Sequence, residues 1–93
     1  METPLSFEWD DAKDAANTAK HGVSFIEAAA VFADNDRTDF DASHAEDGEA
    51  RRKAVGQIEV RLFVVVYTLR GEAIRIISAR RANGQETRRH GEG

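Results

Sequence analysis

Val64-Val-Val-Tyr-Thr-Leu-Arg-Gly-Glu-Ala-Ile-Arg-Ile-Ile-Ser-Ala-Arg-Arg81 decides how this chain folds. The segment belongs to two β-rich runs, Arg61 to Leu69 and Ala73 to Ala79, joined by Arg70-Gly71-Glu72. Branched and aromatic side chains dominate both runs and suit a pleated surface. Gly71 permits the positive φ that a tight hairpin often requires. An unbroken apolar run such as Leu62 to Val66 predicts a strand buried on both faces, hence the centre of a sheet. The second strand then ends in Arg80-Arg81, two permanent cations leaving a hydrophobic sheet.

Working outward, 93 residues support one core, so the chain is read as a single domain, 1–93, with residues 1–6 and 91–93 as loose ends. The lack of cysteine excludes disulfides and thiolate chemistry. No apolar run approaches the ~20 residues of a membrane span, and the acidic start does not resemble a signal peptide. The expected location is the cytoplasm, with no membrane partner. The net charge of −4 conceals an asymmetry: residues 1–50 carry thirteen Asp/Glu against three Lys/Arg, and residues 51–93 carry four against ten. Fields act within a Debye length of ~8 Å, so the basic half can attract phosphate despite the acidic total. The alternative is a dipolar surface that neutralises itself.

Phe7 to Asp10 reads as a short edge strand. Asp10 is an N-cap for a first helix whose Ala12, Ala15, Ala16 and Ala19 form a thin apolar stripe, predicted to lie against its support. Lys20 falls in its last turn and Gly22 closes it. Ser24 and Glu27 form a capping box for a second helix, with Phe25, Ala28, Ala29 and Phe32 as its buried face. The short connection makes an αα-hairpin with His21 at the bend. Strands are expected over Thr38–Ala42 and Glu49–Gln57, the latter with a bulge at Gly56. The turn near Ile58-Glu59 lacks the usual Gly or Asn. Asn83 and Glu86 open a C-terminal helix. The order defines an α+β class: a small domain with an N-terminal helical hairpin and a C-terminal helix packed on an antiparallel β-sheet.

Phe7-Glu-Trp-Asp10, Lys20-His21-Gly22-Val23, the helix Phe25 to Phe32, Val64-Val-Val-Tyr67-Thr and Ile74-Arg-Ile-Ile-Ser-Ala-Arg-Arg81 together resemble the BrnT family (DUF497). The resemblance covers about residues 7 to 90. It implies a RelE-like fold and a metal-independent endoribonuclease toxin of a bacterial type II toxin–antitoxin system that slows translation, with no cofactor. It further implies a BrnA-like ribbon-helix-helix antitoxin, contact with operator DNA only through that antitoxin, and a toxin–antitoxin heterotetramer that can contain a toxin homodimer. Two features depart from the family pattern. Asn83-Gly84 and Thr87 thin the positive charge of the last helix, where His90 replaces the usual aromatic, and Ile58-Glu59-Val60 replaces a Ser/Gly-rich connection.

Metal-free RNA cleavage needs a base for the 2′-OH, cations for the developing phosphorane charge, and an acid for the leaving 5′-oxygen. Arg80 and Arg81 are the leading phosphate clamps, because guanidinium forks match phosphate oxygens. In an extended strand they point to opposite faces, so one can hold RNA while the other is structural. Tyr67 shares a face with Arg61, six residues away, and is either a proton donor, a base-stacking ring or an ordinary core tyrosine. Lys20 and His21 either serve catalysis or simply favour the negative end of the first helix. Glu49, beside Arg51 and Arg52, is a base or a surface ion pair, and His44 is a solvated loop residue. Arg61, Arg75, Arg88 and Arg89 complete the RNA-binding candidates. The histidines, at 21, 44 and 90, are too scattered for metal-ligand spacing. Two competing readings are a non-catalytic antitoxin-binding partner in operon control, and a structural domain whose basic edge assembles a larger complex.

Overall fold

A computed structural model describes residues 6–42 and 50–92. The strands are β1 (Ser6–Glu8), β2 (Thr38–Asp41), β3 (Arg52–Ile58), β4 (Arg61–Arg70) and β5 (Ala73–Arg81). The helices are α1 (Asp11–His21), α2 (Phe25–Ala28), which tightens into a 3-10 turn over Ala29–Ala33, and α3 (Gly84–Glu92). One sheet runs in the order β1-β5-β4-β3-β2, so the β4–β5 hairpin supplies two of its three inner strands, as the apolar runs predict.

The sheet is mixed rather than antiparallel. β1 pairs parallel to β5 (Phe7 opposite Ile74, Glu8 opposite Arg75), whereas all other pairings are antiparallel. The reason is topological: α1 and the long excursion through β2–β4 separate β1 from its partner, and no hairpin forces them antiparallel. The β3–β4 turn is Glu59-Val60, with Ile58 opposite Arg61. Glu59 adopts φ 57° in place of the missing glycine. The Gln57 side-chain amide donates to its carbonyl oxygen at 2.7 Å, which helps hold this left-handed conformation.

The start of β3, the bulge and the end of the last helix differ from the sequence reading. β3 begins at Arg52, not Glu49, and Glu49 and His44 lie outside the described residues. Before β3, Ala50 accepts from Thr68 Oγ1 at 2.7 Å, and Arg51 accepts from the Ala42 amide at 2.9 Å. The bulge is not at Gly56. It falls in β5, where Val66 faces Ser78 but Tyr67 faces Ile76, leaving Ile77 as the extra residue. Gly56 instead allows a close approach, since a Cβ there would meet Val31 Cγ1 at 2.8 Å. Helical backbone also continues to Glu92, into the segment read as loose.

The main core joins the hairpin to one sheet face: Phe25, Ala28, Val31 and Phe32 against Ala54, Val65, Tyr67, Ile74, Ile76 and Ala79. Trp9 meets Phe25 edge-on at 6.2 Å, and Phe32 meets Tyr67 at 4.9 Å. The alanine stripe of α1 does not face this core. Ala12, Ala15, Ala16 and Ala19 are all exposed, and the buried residue of the helix is Asn17, at 8% exposure. Hydrogen bonding outweighs the apolar pattern here. β1 pairs with β5 only as far as Arg75, which leaves the Ala79 amide and carbonyl beyond the end of β1. Asn17 satisfies both, accepting from Ala79 N at 3.1 Å and donating to Ala79 O at 2.8 Å, and it donates to Val23 O at 3.0 Å. Asp14, one turn earlier, accepts from Phe25 N at 2.8 Å. Asn17 and Asp14 of α1 thus turn inward to complete backbone groups that lack a strand or helix partner.

Candidate nucleic-acid interface

The β5 bulge decides where the two arginines go. Without it, Arg80 would share the core face with Ile74 and Ile76. With it, Ala79 takes the core position, Arg81 follows on that same face opposite Phe63, and Arg80 lies on the other face opposite Val64.

On the core side, Arg81 is exposed at the strand end, two residues beyond the Ala79 to which Asn17 anchors α1. Lys20 and His21 follow one turn after Asn17 on that helix. Among the described residues, the Arg81 side chain has no ion-pair partner. All three candidates thus lie within four residues in sequence of the Asn17–Ala79 bonds that join α1 to β5, at what we term the Arg81 corner. Arg61 is exposed beside the β3–β4 turn at the same end of the sheet.

Tyr67 is elsewhere. Six residues of β4 separate it from Arg61, about 20 Å along an extended strand, and four separate it from the Phe63 that faces Arg81. Its hydroxyl donates to Asp39 Oδ1 at 2.6 Å and accepts from Arg52 Nε at 3.3 Å. Asp39 also holds Arg37 Nε at 3.0 Å. Burial and the Asp39 carboxylate both push the phenol pKa up, so the hydroxyl stays protonated and engaged. Arg75 is similarly committed, donating to Glu8 Oε2 across the β1–β5 pairing at 2.9 Å.

Arg80 forms a bidentate fork with Glu86 in the first turn of α3, both bonds at 2.8 Å. Glu86 also accepts from Asn83 N while Asn83 Oδ1 accepts from Glu86 N, both at 2.8 Å, which completes the expected capping box. The Arg80 guanidinium, followed by the Asn83 amide, holds the Glu86 carboxyl down to about 2. A depressed carboxylate pKa stabilises the fold fully above the ordinary value of about 4.5 and loses that contribution as pH falls toward 2. We expect α3 to loosen over this acidic window, read as loss of helical circular dichroism, and Glu86→Gln to remove that acid transition.

At its far end, α3 brings His90 Nδ1 to 3.4 Å from Thr38 Oγ1 of β2. Between the fork and this contact, the helix crosses the second sheet face, over a smaller apolar patch containing buried Val55 and Val64. A cleft of about 430 Å³ opens beside it, lined by Phe40, Lys53, Val55, Glu86, Arg89 and His90. Phe40 and Lys53 are cross-strand partners, and Lys53 Nζ lies 5.6 Å from the ring centroid. Of these residues only Arg89 was a sequence candidate. The available signal was Phe40, a lone aromatic between two aspartates on an edge strand, but its pairing with Lys53 depends on a register the sequence does not print. Arg88 is exposed on α3.

Among the described residues, no three His, Asp or Glu side chains gather in a group able to hold a metal ion. No helix among them is long and apolar enough to cross a membrane.

This small α+β domain therefore carries Arg81 exposed at a strand end and a cation-lined cleft on the opposite sheet face. Residues 9–86 match the family described as the ribonuclease toxin, BrnT, of type II toxin–antitoxin systems, and the chain belongs to that family. The family implies an antitoxin as partner. No curated protein matches the chain closely. The family match ends at Glu86, so Arg89 and His90 of the cleft lie beyond it.

Proposed function

We propose that this chain is a metal-independent endoribonuclease with a RelE-like fold, which arrests growth by inhibiting translation and is neutralised by a BrnA-like ribbon-helix-helix antitoxin. Operator DNA is reached only through that antitoxin, in a toxin–antitoxin heterotetramer. The observation that carries the catalytic reading is the Arg81 corner: an exposed guanidinium without an ion-pair partner among the described residues, on the sheet face that α1 covers, with Lys20 and His21 closing that helix. Arg81 binds the scissile phosphate and stabilises its charge in the transition state. His21 exchanges a proton with the ribose or the leaving group, and Lys20 adds positive charge. The 2′-oxygen loses its proton, attacks phosphorus and expels the 5′-oxygen, which is protonated on leaving. The products are a 2′,3′-cyclic phosphate and a 5′-hydroxyl. Arg61 and Arg88 extend the path of the RNA backbone, Tyr67 braces β2 through Asp39, and Arg80 positions α3 through Glu86.

The purified toxin is expected to cleave RNA equally well with and without EDTA, leaving cyclic phosphate ends. Activity lost on chelation and restored by a divalent metal would overturn this mechanism. The Arg80–Glu86 fork favours a second reading, in which the chain is a catalytically weakened partner acting mainly in antitoxin binding and operon control. Induction without the antitoxin separates the two, since only the nuclease arrests growth with RNA cleavage.

A further inference from the structure

We infer that the cleft between α3 and the β2–β3 edge is a nucleotide subsite, in which a base of single-stranded RNA stacks on Phe40 while a neighbouring phosphate meets Lys53 and Arg89. The inference deepens the ribonuclease reading and rests on it. Phe40 is 42% exposed, an unusual cost for a phenylalanine on an edge strand, and its ring borders the cleft rather than the core. Every charged side chain of the lining except Glu86 is basic or a histidine, and Glu86 is neutralised by the Arg80 fork. The volume of about 430 Å³ falls within the ~300–1,000 Å³ usual for small-ligand sites. Val55 supplies an apolar floor, and the cleft joins a π-face to cations, which is the combination that holds single strands without reading their sequence. Lys53 already lies at the ring, and a base entering the cleft displaces its ammonium toward the adjoining phosphate.

The subsite is separate from the Arg81 corner, on the opposite face of the sheet, so it contributes affinity and positioning to a strand that passes around the sheet end. It can therefore be tested by binding alone, with a fluorescent 2′-O-methyl oligonucleotide that cannot be cleaved. Phe40→Ala is expected to weaken binding by about 5- to 150-fold. Phe40→Trp, which keeps a stacking face, should bind like wild type or tighter. Lys53→Gln should lower the slope of log affinity against log salt by about 0.7, the loss of one single-strand phosphate contact, whereas Phe40→Ala should leave the slope unchanged. Unaltered affinity in both Phe40→Ala and Lys53→Gln, in a toxin that still cleaves RNA, would refute the subsite alone. Wild-type protein that neither binds the oligonucleotide nor cleaves RNA would refute the ribonuclease reading with it. Variants that keep RNA binding but lose the antitoxin would make the cleft a protein-docking surface and overturn the inference.

Discussion

Arg81→Ala is expected to lower RNA cleavage by about 10²–10³-fold while leaving the fold intact, because it removes a donor to a developing oxyanion. The side chain is exposed at the end of β5, and burial in that strand comes from Ile74, Ile76 and Ala79, so the stability change should stay within about 0.5 kcal/mol. Arg81→Lys should fall between alanine and wild type, since lysine keeps the charge but loses the planar fork. Single-turnover cleavage at matched folded protein reads the effect. Arg80→Ala should differ in kind: it leaves the Glu86 carboxylate without its fork, so α3 loosens and stability falls along with activity. Full cleavage by Arg81→Ala would move the phosphate site away from the strand end.

The second large effect is structural. Asn17→Leu is expected to destabilise the protein by roughly 2–5 kcal/mol, although leucine is the better helix former. The substitution strands the buried Ala79 amide and carbonyl and leaves the Val23 carbonyl with only a long 3.5 Å bond from Thr18 Oγ1. The gain from burying a leucine offsets only part of that loss. Ala19→Gln, on the stripe that periodicity marks as apolar, should change stability by no more than about 0.5 kcal/mol, because Ala19 is exposed. Urea denaturation distinguishes them: a lower midpoint for Asn17→Leu at constant slope, and no shift for Ala19→Gln. Equal midpoints for the two variants would show that the Asn17 bonds are dispensable.

These two residues also show how far a sequence can be read. Local chemistry was legible. Asp10 caps α1, Ser24 and Glu27 box α2, Asn83 and Glu86 box α3, and Gly22 and Gly71 take positive φ where the turns need it. Each is an interaction within a few residues, so composition and spacing suffice. The β4–β5 hairpin was legible for the same reason. What escaped depends on pairing between distant segments. The parallel β1–β5 register and the inward turn of Asn17 are set by partners some 60 or more residues away, and the bulge at Ile77 by the detailed pairing of β5 with β4. The candidate site divides along that line. That Arg80 and Arg81 point to opposite faces follows from strand geometry, but which of them is committed to a carboxylate follows from where α3 returns. The Phe40–Lys53 cleft needed the β2–β3 register before it existed at all.

The Asn17–Ala79 bonds bear on the order in which the chain acquires its shape during synthesis. Their two ends are 62 positions apart, and β5 is the strand against which α1 mainly packs. At about 5–20 residues per second, the ribosome needs roughly 3–12 s to make the intervening chain. Throughout that interval α1 waits without the strand that anchors it, although α2 and its 3-10 turn can already meet β3 and β4, so the docking of α1 is completed late in translation. The Arg81 corner, assembled from α1 and the end of β5, is consequently among the last parts to form, and a nascent chain lacks it while most of its residues are still being joined.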